Sequence, residues 1–440
     1  MKVFMLGWEF PPFISGGLGT ACYGLTKGLD HIGTEVIFVL PRGPEHLQPE
    51  SAKLLSAAQA GKPAAQRPEA FRYIRFRTVD AVIRPYLSPG VEDEPEPATA
   101  TRRGKRARAT VGSPEGVRVI AASPAEGPGG HYGGDLFAEV ERYAGLACEI
   151  ASQEGEFDLV HAHDWMTYPA GIAVADMTGK PLVVHVHSTE FDRSGIHVNQ
   201  RIYDIERAGM TRANRVICVS HFTRSVVLQH YGVDPRKVDV VYNAVEENGT
   251  PESRALPPIE HNEKIVLFLG RITMQKGPEY FLAAAKRVLE VMANVRFIMA
   301  GSGDMTRRMI ELANQMGIGH KVLFTGFLRG DDVRRVFRMA DLYVMPSVSE
   351  PFGIAPLEAL ANDVPVLISK QSGVSEILSH ALKVDFWDVD EMANKIIAVL
   401  RHPPLQATLR DHGSIEVRRL SWLDSARGCL KVYETAVSPA

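Results

Sequence analysis

Four short runs in this 440-residue chain gather side chains that could do chemistry. The first is Gly16-Gly17-Leu18-Gly19, which opens a stretch of helical period from Thr20 to His31. Glycines let a backbone approach a ligand closely, and a helix N-terminus offers unpaired N–H groups and a positive dipole end to an anion. A phosphate is the natural guest. Two named phosphate loops are excluded: Leu25 stands where a nucleotide-triphosphate loop needs lysine, and the GxGxxG dinucleotide spacing is absent. A plain glycine-rich turn explains this run equally well when it is taken alone.

The second is a pair of His-x-His runs, His161-Ala-His163-Asp164-Trp165 and His185-Val-His187-Ser188-Thr189-Glu190. Strand alternation puts the two histidines of each run on one face. Four imidazoles and two carboxylates could bind zinc, but polar residues at strand ends also serve as active-site groups or as satisfied structural histidines. Third comes Gly270-Arg271-Ile272-Thr273-Met274-Gln275-Lys276-Gly277, with two cations beside glycine turns. Such a pair can clamp a diphosphate whose leaving oxygen gains negative charge, and a solvated basic turn is the alternative. Fourth is Ser349-Glu350-Pro351-Phe352-Gly353-Ile354-Ala355-Pro356-Leu357-Glu358. Pro356 suits the first turn of a helix carrying Glu358, the N–H groups from Phe352 to Ala355 suit an anion, and the two carboxylates suit hydroxyl groups. A glycosidase would use two acids about 5 to 9.5 Å apart, but it has no use for phosphate-suited glycine loops and a cation pair. Transfer from a sugar phosphate accounts for more of these residues.

Positioning such groups requires strand ends. Nearly all-apolar runs of strand length fall at Lys2 to Leu6, Glu35 to Leu40, Val117 to Ala121, Asp158 to His163, Leu182 to His187, Arg215 to Ser220 and Val238 to Tyr242. A second set falls at Lys264 to Leu269, Val295 to Ala300, Val322 to Thr325, Asp341 to Met345 and Pro365 to Ser369. Helical periods lie between them, including Tyr280 to Met292 and Met305 to Met316. This alternation predicts α/β architecture with parallel sheets covered on both faces. Residues 246–263, rich in proline and containing Asn248-Gly249, read as a linker between domain 1–245 and domain 264–420. Two doubly wound sheets facing each other would share a cleft at their carboxyl ends.

Composition limits the alternatives. Basic residues number 49 and acidic residues 52, a net charge of -3 that gives no broad field for nucleic acid or anionic membrane. Cys22, Cys148, Cys218 and Cys429 show no CxxC spacing and fit a reducing, cytoplasmic compartment. The start of the chain reads as a strand rather than a signal peptide, and no window has the roughly 18 apolar residues of a spanning helix. Residues 89–114 pair an acidic half with a basic half that includes Arg102, Arg103 and Lys105, and they read as a solvated insertion. Asp388-Val389-Asp390 precedes a helical stretch and reads as a cap rather than a metal motif.

Taken in order, GGLG, HAHDW, GRITMQKG and EPFGIAPLEA resemble the retaining GT-B glycosyltransferases of the sucrose, trehalose and mannosyl transferase group, close to glycogen and starch synthases. The resemblance implies two facing Rossmann-like domains and a C-terminal segment, residues 421–440, that crosses back as a helix to the first domain. It implies that Arg271 and Lys276 bind the donor diphosphate with the backbone at Gly17, and that Glu350 accepts hydroxyls of the moving sugar. Phe352, Gly353 and Ile354 would meet sugar or phosphate through their backbone, Glu358 would hold the ribose, and Gly303 would lie in a glycine turn near the nucleotide. His163 would lie beside the anomeric centre. The catalytic set is then His163, Arg271, Lys276 and Glu350. Candidates on the acceptor side are Gly19, Asp135, Asp164 and Trp165, with Trp8 and Trp165 able either to stack on sugar rings or to sit in the core.

Such enzymes act on a nucleotide sugar and a carbohydrate acceptor with no metal or other cofactor, and no nucleic acid or membrane partner is expected. Ile14 replaces the lysine of bacterial glycogen synthases, whereas the opening GWEFPP and Tyr132-Gly133-Gly134-Asp135 look like glucan synthases. The reading leans to glucose transfer from ADP-glucose or UDP-glucose onto an α-glucan. A small or lipid-linked acceptor is the alternative, and a GT-B-fold sugar-nucleotide epimerase is the alternative from another class.

Overall fold

The computed structural model describes residues 1–11, 17–41, 71–81, 83, 134–245 and 263–438. The expected strand at Val117 to Ala121, the insertion at 89–114 and nearly all of the linker at 246–263 lie outside them. The first sheet is built from β1 (Lys2–Leu6), β2 (Glu35–Pro41), β3 (Ile74–Val79), β4 (Leu159–His163), β5 (Leu182–Val186), β6 (Arg215–Cys218) and β7 (Val238–Val240). Every pairing in it is parallel, in the order β3-β2-β1-β4-β5-β6-β7. The second sheet holds β8 (Lys264–Leu269), β9 (Val295–Ala300), β10 (Val322–Gly326), β11 (Leu342–Met345), β12 (Val366–Ser369) and β13 (Leu382–Val384). It too is parallel, in the order β10-β9-β8-β11-β12-β13.

The central strands are largely apolar because helices cover both faces, and residues such as Val3, Phe4, Val184, Val266 and Leu267 are fully buried. The two strands not anticipated sit at sheet edges. β3 reads IRFRTV, and its Arg75 and Arg77 pair with Glu154 at the end of the helix Gly134–Gln153, so it lacks the continuous apolar signature. β13 has only three residues.

The last helix, Trp422–Val437, packs along the helix Gly17–His31 of the first half. Gly24 makes this possible: a Cβ there would lie 2.1 Å from the Trp422 ring. Burying a large apolar side chain of this kind stabilises by about 1.5–3 kcal/mol. Each sheet reverses its strand order once, between β1 and β4 and between β8 and β11. Open α/β sheets bind ligands at such a switch point, outside the carboxyl ends of the strands. The four chemistry-bearing runs all leave from, or next to, these strand ends.

Candidate active site

On the C-terminal side, β8 runs out into Gly270 and Arg271 and then a single 3-10 turn, Met274–Lys276. Gly277 closes that turn with a positive φ of 63°, and a Cβ there would lie 2.1 Å from the carbonyl oxygen of Pro346. Glycine therefore lets the turn lie against the end of β11. The result is an ion pair: Lys276 Nζ is 2.5 Å from Glu350 Oε2, which also accepts from Ser347 Oγ at 3.0 Å. Glu350 is 6% exposed, and its backbone is fixed by Gln371 O at 3.0 Å and Gly373 N at 2.9 Å. Arg271 donates to Gln275 Oε1 at 3.4 Å, and Gln275 Nε2 donates to Ser349 O at 3.1 Å. Gly303 belongs to the next loop, where Ser302 O accepts from Ile272 N at 2.9 Å; a Cβ on Gly303 would meet Ile272 O at 2.3 Å. Its first duty is thus to let the two loops touch.

Beyond Glu350, Phe352 is buried and its carbonyl accepts from Val374 N at 2.7 Å. Gly353 (φ 104°) then starts the helix Ile354–Ala361, with Pro356 in its first turn. Gly353 brings no capping oxygen, which leaves this N-terminus suited to an anion. Glu358 lies on the same helix, and burial of its carboxyl pushes its pKa up to about 7.

The N-terminal side is built differently. Registry places His163 opposite His185 on β4 and β5, and alternation adds His161 to the same face. His163 Nδ1 and His187 Nε2 share a hydrogen bond of 2.9 Å, and His161 Nδ1 is bonded to Tyr433 Oη at 2.8 Å. Burial holds all four imidazoles below the ordinary range: His163 falls to about 3, and mutual repulsion adds to the effect in His161, His185 and His187. Burial thus favours the neutral form, and His161, His163 and His187 each make a hydrogen bond through one ring nitrogen. Asp164, with φ 60°, turns its carboxylate back to accept from His187 N at 2.8 Å and Ser188 N at 3.3 Å. Desolvation raises it to about 7 against the opposing influence of Arg193 and these N–H groups.

Comparison with known proteins now meets this geometry. Residues 250–414 match the family described as Glycosyl transferases group 1, and residues 100–248 match Glycosyltransferase Family 4. The group 1 match thus covers the second half of the chain, and the first half matches a second glycosyltransferase family. An uncharacterized glycosyltransferase of Methanocaldococcus jannaschii is 28% identical, with 99% of each chain covered. A D-inositol 3-phosphate glycosyltransferase of Rhodococcus opacus is also 28% identical, over 73% of this chain and 76% of the relative. Among solved structures, sucrose-phosphate synthase from Thermosynechococcus elongatus superposes with a TM-score of 0.70 at 18% identity, covering 99% and 98% of the two chains. Anabaena HepE in complex with UDP and glucose gives 0.67 at 17% identity, covering 99% and 100%. These likenesses show the GT-B fold.

Within this glycosyltransferase, Trp165 and Trp8 take the core position, one of the two open to them. Trp165 does not face a cleft: it is 2% exposed in a 3-10 turn and packs on Phe137 at a ring distance of 5.7 Å. Trp8 likewise joins the core under β1. The Asp164 carboxylate is engaged in tying β4 to the segment after β5. Gly17 begins its helix in the open, whereas the Gly19 N–H already donates to Glu9 Oε2 at 3.1 Å. Asp135 lies in the first turn of the helix Gly134–Gln153.

Glu9 escaped the sequence reading although it stands in the GWEFPP run. Glu190 reads with the histidine runs, but its joining to Asp192, Arg193 and Glu206 is unforeseen: Arg193 donates to Glu190 at 3.1 Å and to Glu206 at 2.5 Å. The capping box of Thr189 and Asp192 was its local signal. Among the described residues, two triads could offer ligand atoms to a metal, Cys22 with His163 and His187, and His161 with His163 and His185, their atoms within 4.8 Å of one another. The rings of His161 and His163 lie nearly parallel to that of His185, at 16° and 26°. Ring lone pairs lie in the ring planes, so both would have to turn to converge on one ion. Asp388 caps the helix Val389–Arg401 by accepting from Glu391 N at 3.0 Å.

Proposed function

We propose that this glycosyltransferase moves a hexosyl unit, glucose in the leading reading, from a nucleoside diphosphate sugar to a carbohydrate hydroxyl with retention at the anomeric carbon. The observation that carries the proposal is the Lys276–Glu350 pair at the β8/β11 switch point, beside Arg271 and the anion-suited N-terminus of the helix Ile354–Ala361. A diphosphate meets cations and N–H groups there, a sugar meets a carboxylate, and Glu358 is available to ribose hydroxyls.

In the reaction, the bond from C1 to the β-phosphate oxygen breaks and the acceptor oxygen bonds to C1 on the same face. The acceptor proton passes to the departing phosphate oxygen. A nucleoside diphosphate is already a good leaving group, so the protein's main task is to stabilise growing negative charge, which Arg271 and Lys276 supply. His163 contributes a neutral hydrogen bond near the anomeric centre, fixed in direction by His187. No metal is assigned a role.

For the acceptor, the HAHDW and GWEFPP runs support an α-glucan. A second reading, a small acceptor, is favoured by the relatives named D-inositol 3-phosphate glycosyltransferases and by the likeness to sucrose-phosphate synthase. The test is release of nucleoside diphosphate from UDP-glucose, ADP-glucose and other nucleotide sugars in chelator, with maltooligosaccharide, inositol 3-phosphate or fructose 6-phosphate as acceptor. Turnover with an α-configured product is expected. Conversion of the nucleotide sugar without diphosphate release would replace this reading with the epimerase, and activity abolished by chelator would require a metal.

A further inference from the structure

The carboxylate read as sugar-facing is bonded within its own C-terminal half, to Lys276 and Ser347, but the residues on either side of it are bonded to the other half of the molecule. Glu350 is flanked by Ser349 and Pro351, and both neighbours are gripped by the N-terminal domain. Ser349 Oγ donates to Asp192 Oδ1 at 2.6 Å. The Pro351 carbonyl accepts from Ser220 Oγ at 2.5 Å and from Thr223 Oγ1 at 3.1 Å. Asp192, Ser220 and Thr223 are all buried. Each is also fixed by its own element. Asp192 closes a capping box, with Thr189 N and Thr189 Oγ1 donating to its other oxygen at 2.7 and 2.8 Å. Ser220 caps the helix His221–Tyr231 by accepting from Thr223 N at 2.9 Å. The same helix N-terminus is covered by a carboxylate from the C-terminal half, with His221 N donating to Glu376 Oε2 at 3.0 Å.

We infer that Asp192, Ser220 and Thr223 are positioning residues for Glu350, so that its carboxylate reaches its sugar-binding place only when the two domains are docked. Buried side chains locked by their own hydrogen bonds hold a neighbouring group more closely than exposed ones do. Bracketing the residues on either side of Glu350 adds to the Gln371 and Gly373 bonds on its backbone and leaves its carboxylate to Lys276 and the substrate. The nucleotide end of the donor, at Arg271, Lys276 and Glu358, receives no such grip from these three residues. Recognition of sugar and of nucleotide are thereby separated: the first depends on domain docking and the second does not. This inference rests on the reading of Glu350 as acceptor of sugar hydroxyls.

The test uses Ser349→Ala, Thr223→Val and their combination in the full chain, each substitution keeping the size of the side chain close to the original. The nucleoside diphosphate released by the wild type should bind these variants within about twofold of wild type by calorimetry. The kcat/KM for the nucleotide sugar should fall about 10- to 100-fold, as expected when a reacting group is misplaced. Glu350→Gln should fall further, and adding Ser349→Ala to it should cost little more, because the serine acts through the carboxylate. A full additional loss in that background, equal loss of diphosphate binding, or unchanged kcat/KM would each overturn the inference. A crystal structure of the double variant gives a readout free of activity. Loss of the Lys276–Glu350 contact supports positioning, and an undisturbed pair refutes it even if the wild type turns over none of the nucleotide sugars, which would sink the proposed function separately.

Discussion

The two strand-end faces at the switch points solve opposite electrostatic problems. The C-terminal face concentrates charge, with Lys276 bonded to Glu350 and Arg271 nearby, and pairs it before any substrate arrives. The N-terminal face gathers four imidazoles and keeps them neutral by burial. Under the proposed function, the face that receives a diphosphate needs fixed cations, whereas the face beside a carbon gaining positive character is better lined with neutral polar groups. Proton linkage separates buried imidazole from buried carboxyl. His163 titrates near 3 when folded against an ordinary 6.5, so it contributes stability above about pH 6.5 that is lost as pH falls toward 3. Glu358 titrates near 7 against an ordinary 4.5, so its contribution is present below about pH 4.5 and lost as pH rises through 7. The buried imidazole favours alkali and the buried carboxyl acid, and Asp164, raised to about 7 on the N-terminal face, behaves as Glu358 does.

The largest effect that could break this contrast comes from the charged face. Lys276→Ala should lower turnover about 1000-fold, the upper range for removing one preorganised group that stabilises a developing anion. It also leaves Glu350 buried without its cation, so the variant should melt lower, and adding Glu350→Gln should restore stability without restoring turnover. Recovery of both would mean that the pair serves only the fold. On the neutral face, His163→Ala should cost about 100-fold. Because His163 is already neutral across the working range, that loss should be the same at pH 6 and pH 9. A loss that grows toward acid would show that a charged imidazole acts there after all.

The sequence carried the residues at both faces because motif and strand end coincide in it. Lys264 to Leu269 reads as a buried strand and is followed at once by Gly270 and Arg271, so the cation could be placed on a carboxyl end without coordinates. β3 was hidden because an edge strand with Arg75 and Arg77 facing Glu154 has no reason to be apolar throughout. Trp165 is undecided by sequence for a related reason: aromatic type is compatible with stacking or with burial, and the turn after β4, which buries it on Phe137, has no signature of its own. The grip of Asp192 on Ser349 joins positions 157 residues apart in a single hydrogen bond. Periodicity cannot report a contact of that kind.

A smaller effect sharpens the contrast through pH. Ribose hydroxyls donate best to an ionised carboxylate, and with a pKa of about 7 only about a tenth of Glu358 is ionised at pH 6 in the unliganded protein. Nucleoside diphosphate affinity should therefore rise up to about tenfold from pH 6 to pH 8, and Glu358→Gln should flatten that rise. A phosphate-titration control with a nucleotide lacking ribose hydroxyls separates the ligand's own proton from that of Glu358. An unchanged slope in the variant would remove Glu358 from the nucleotide site.

The smallest effect concerns how the neutral face is held. Tyr433, on the returning helix, supplies the hydrogen bond at His161 Nδ1, while His161 Nε2, His163 Nε2 and both ring nitrogens of His185 have no partner among the described residues. Tyr433→Phe would leave the buried His161 ring with neither nitrogen bonded, at a cost of about 1–3 kcal/mol. Since His161 stands one alternation behind His163, the ring stack should survive and turnover at 25 °C should fall no more than about threefold, an energy below 1 kcal/mol. The melting midpoint should drop by a few degrees, about 2–4 °C per kcal/mol for a domain of this size. Were turnover to collapse with only that small loss of stability, the returning helix would be setting the histidines directly. The neutral face would then depend on a distant segment for its geometry, just as Glu350 depends on Asp192, Ser220 and Thr223.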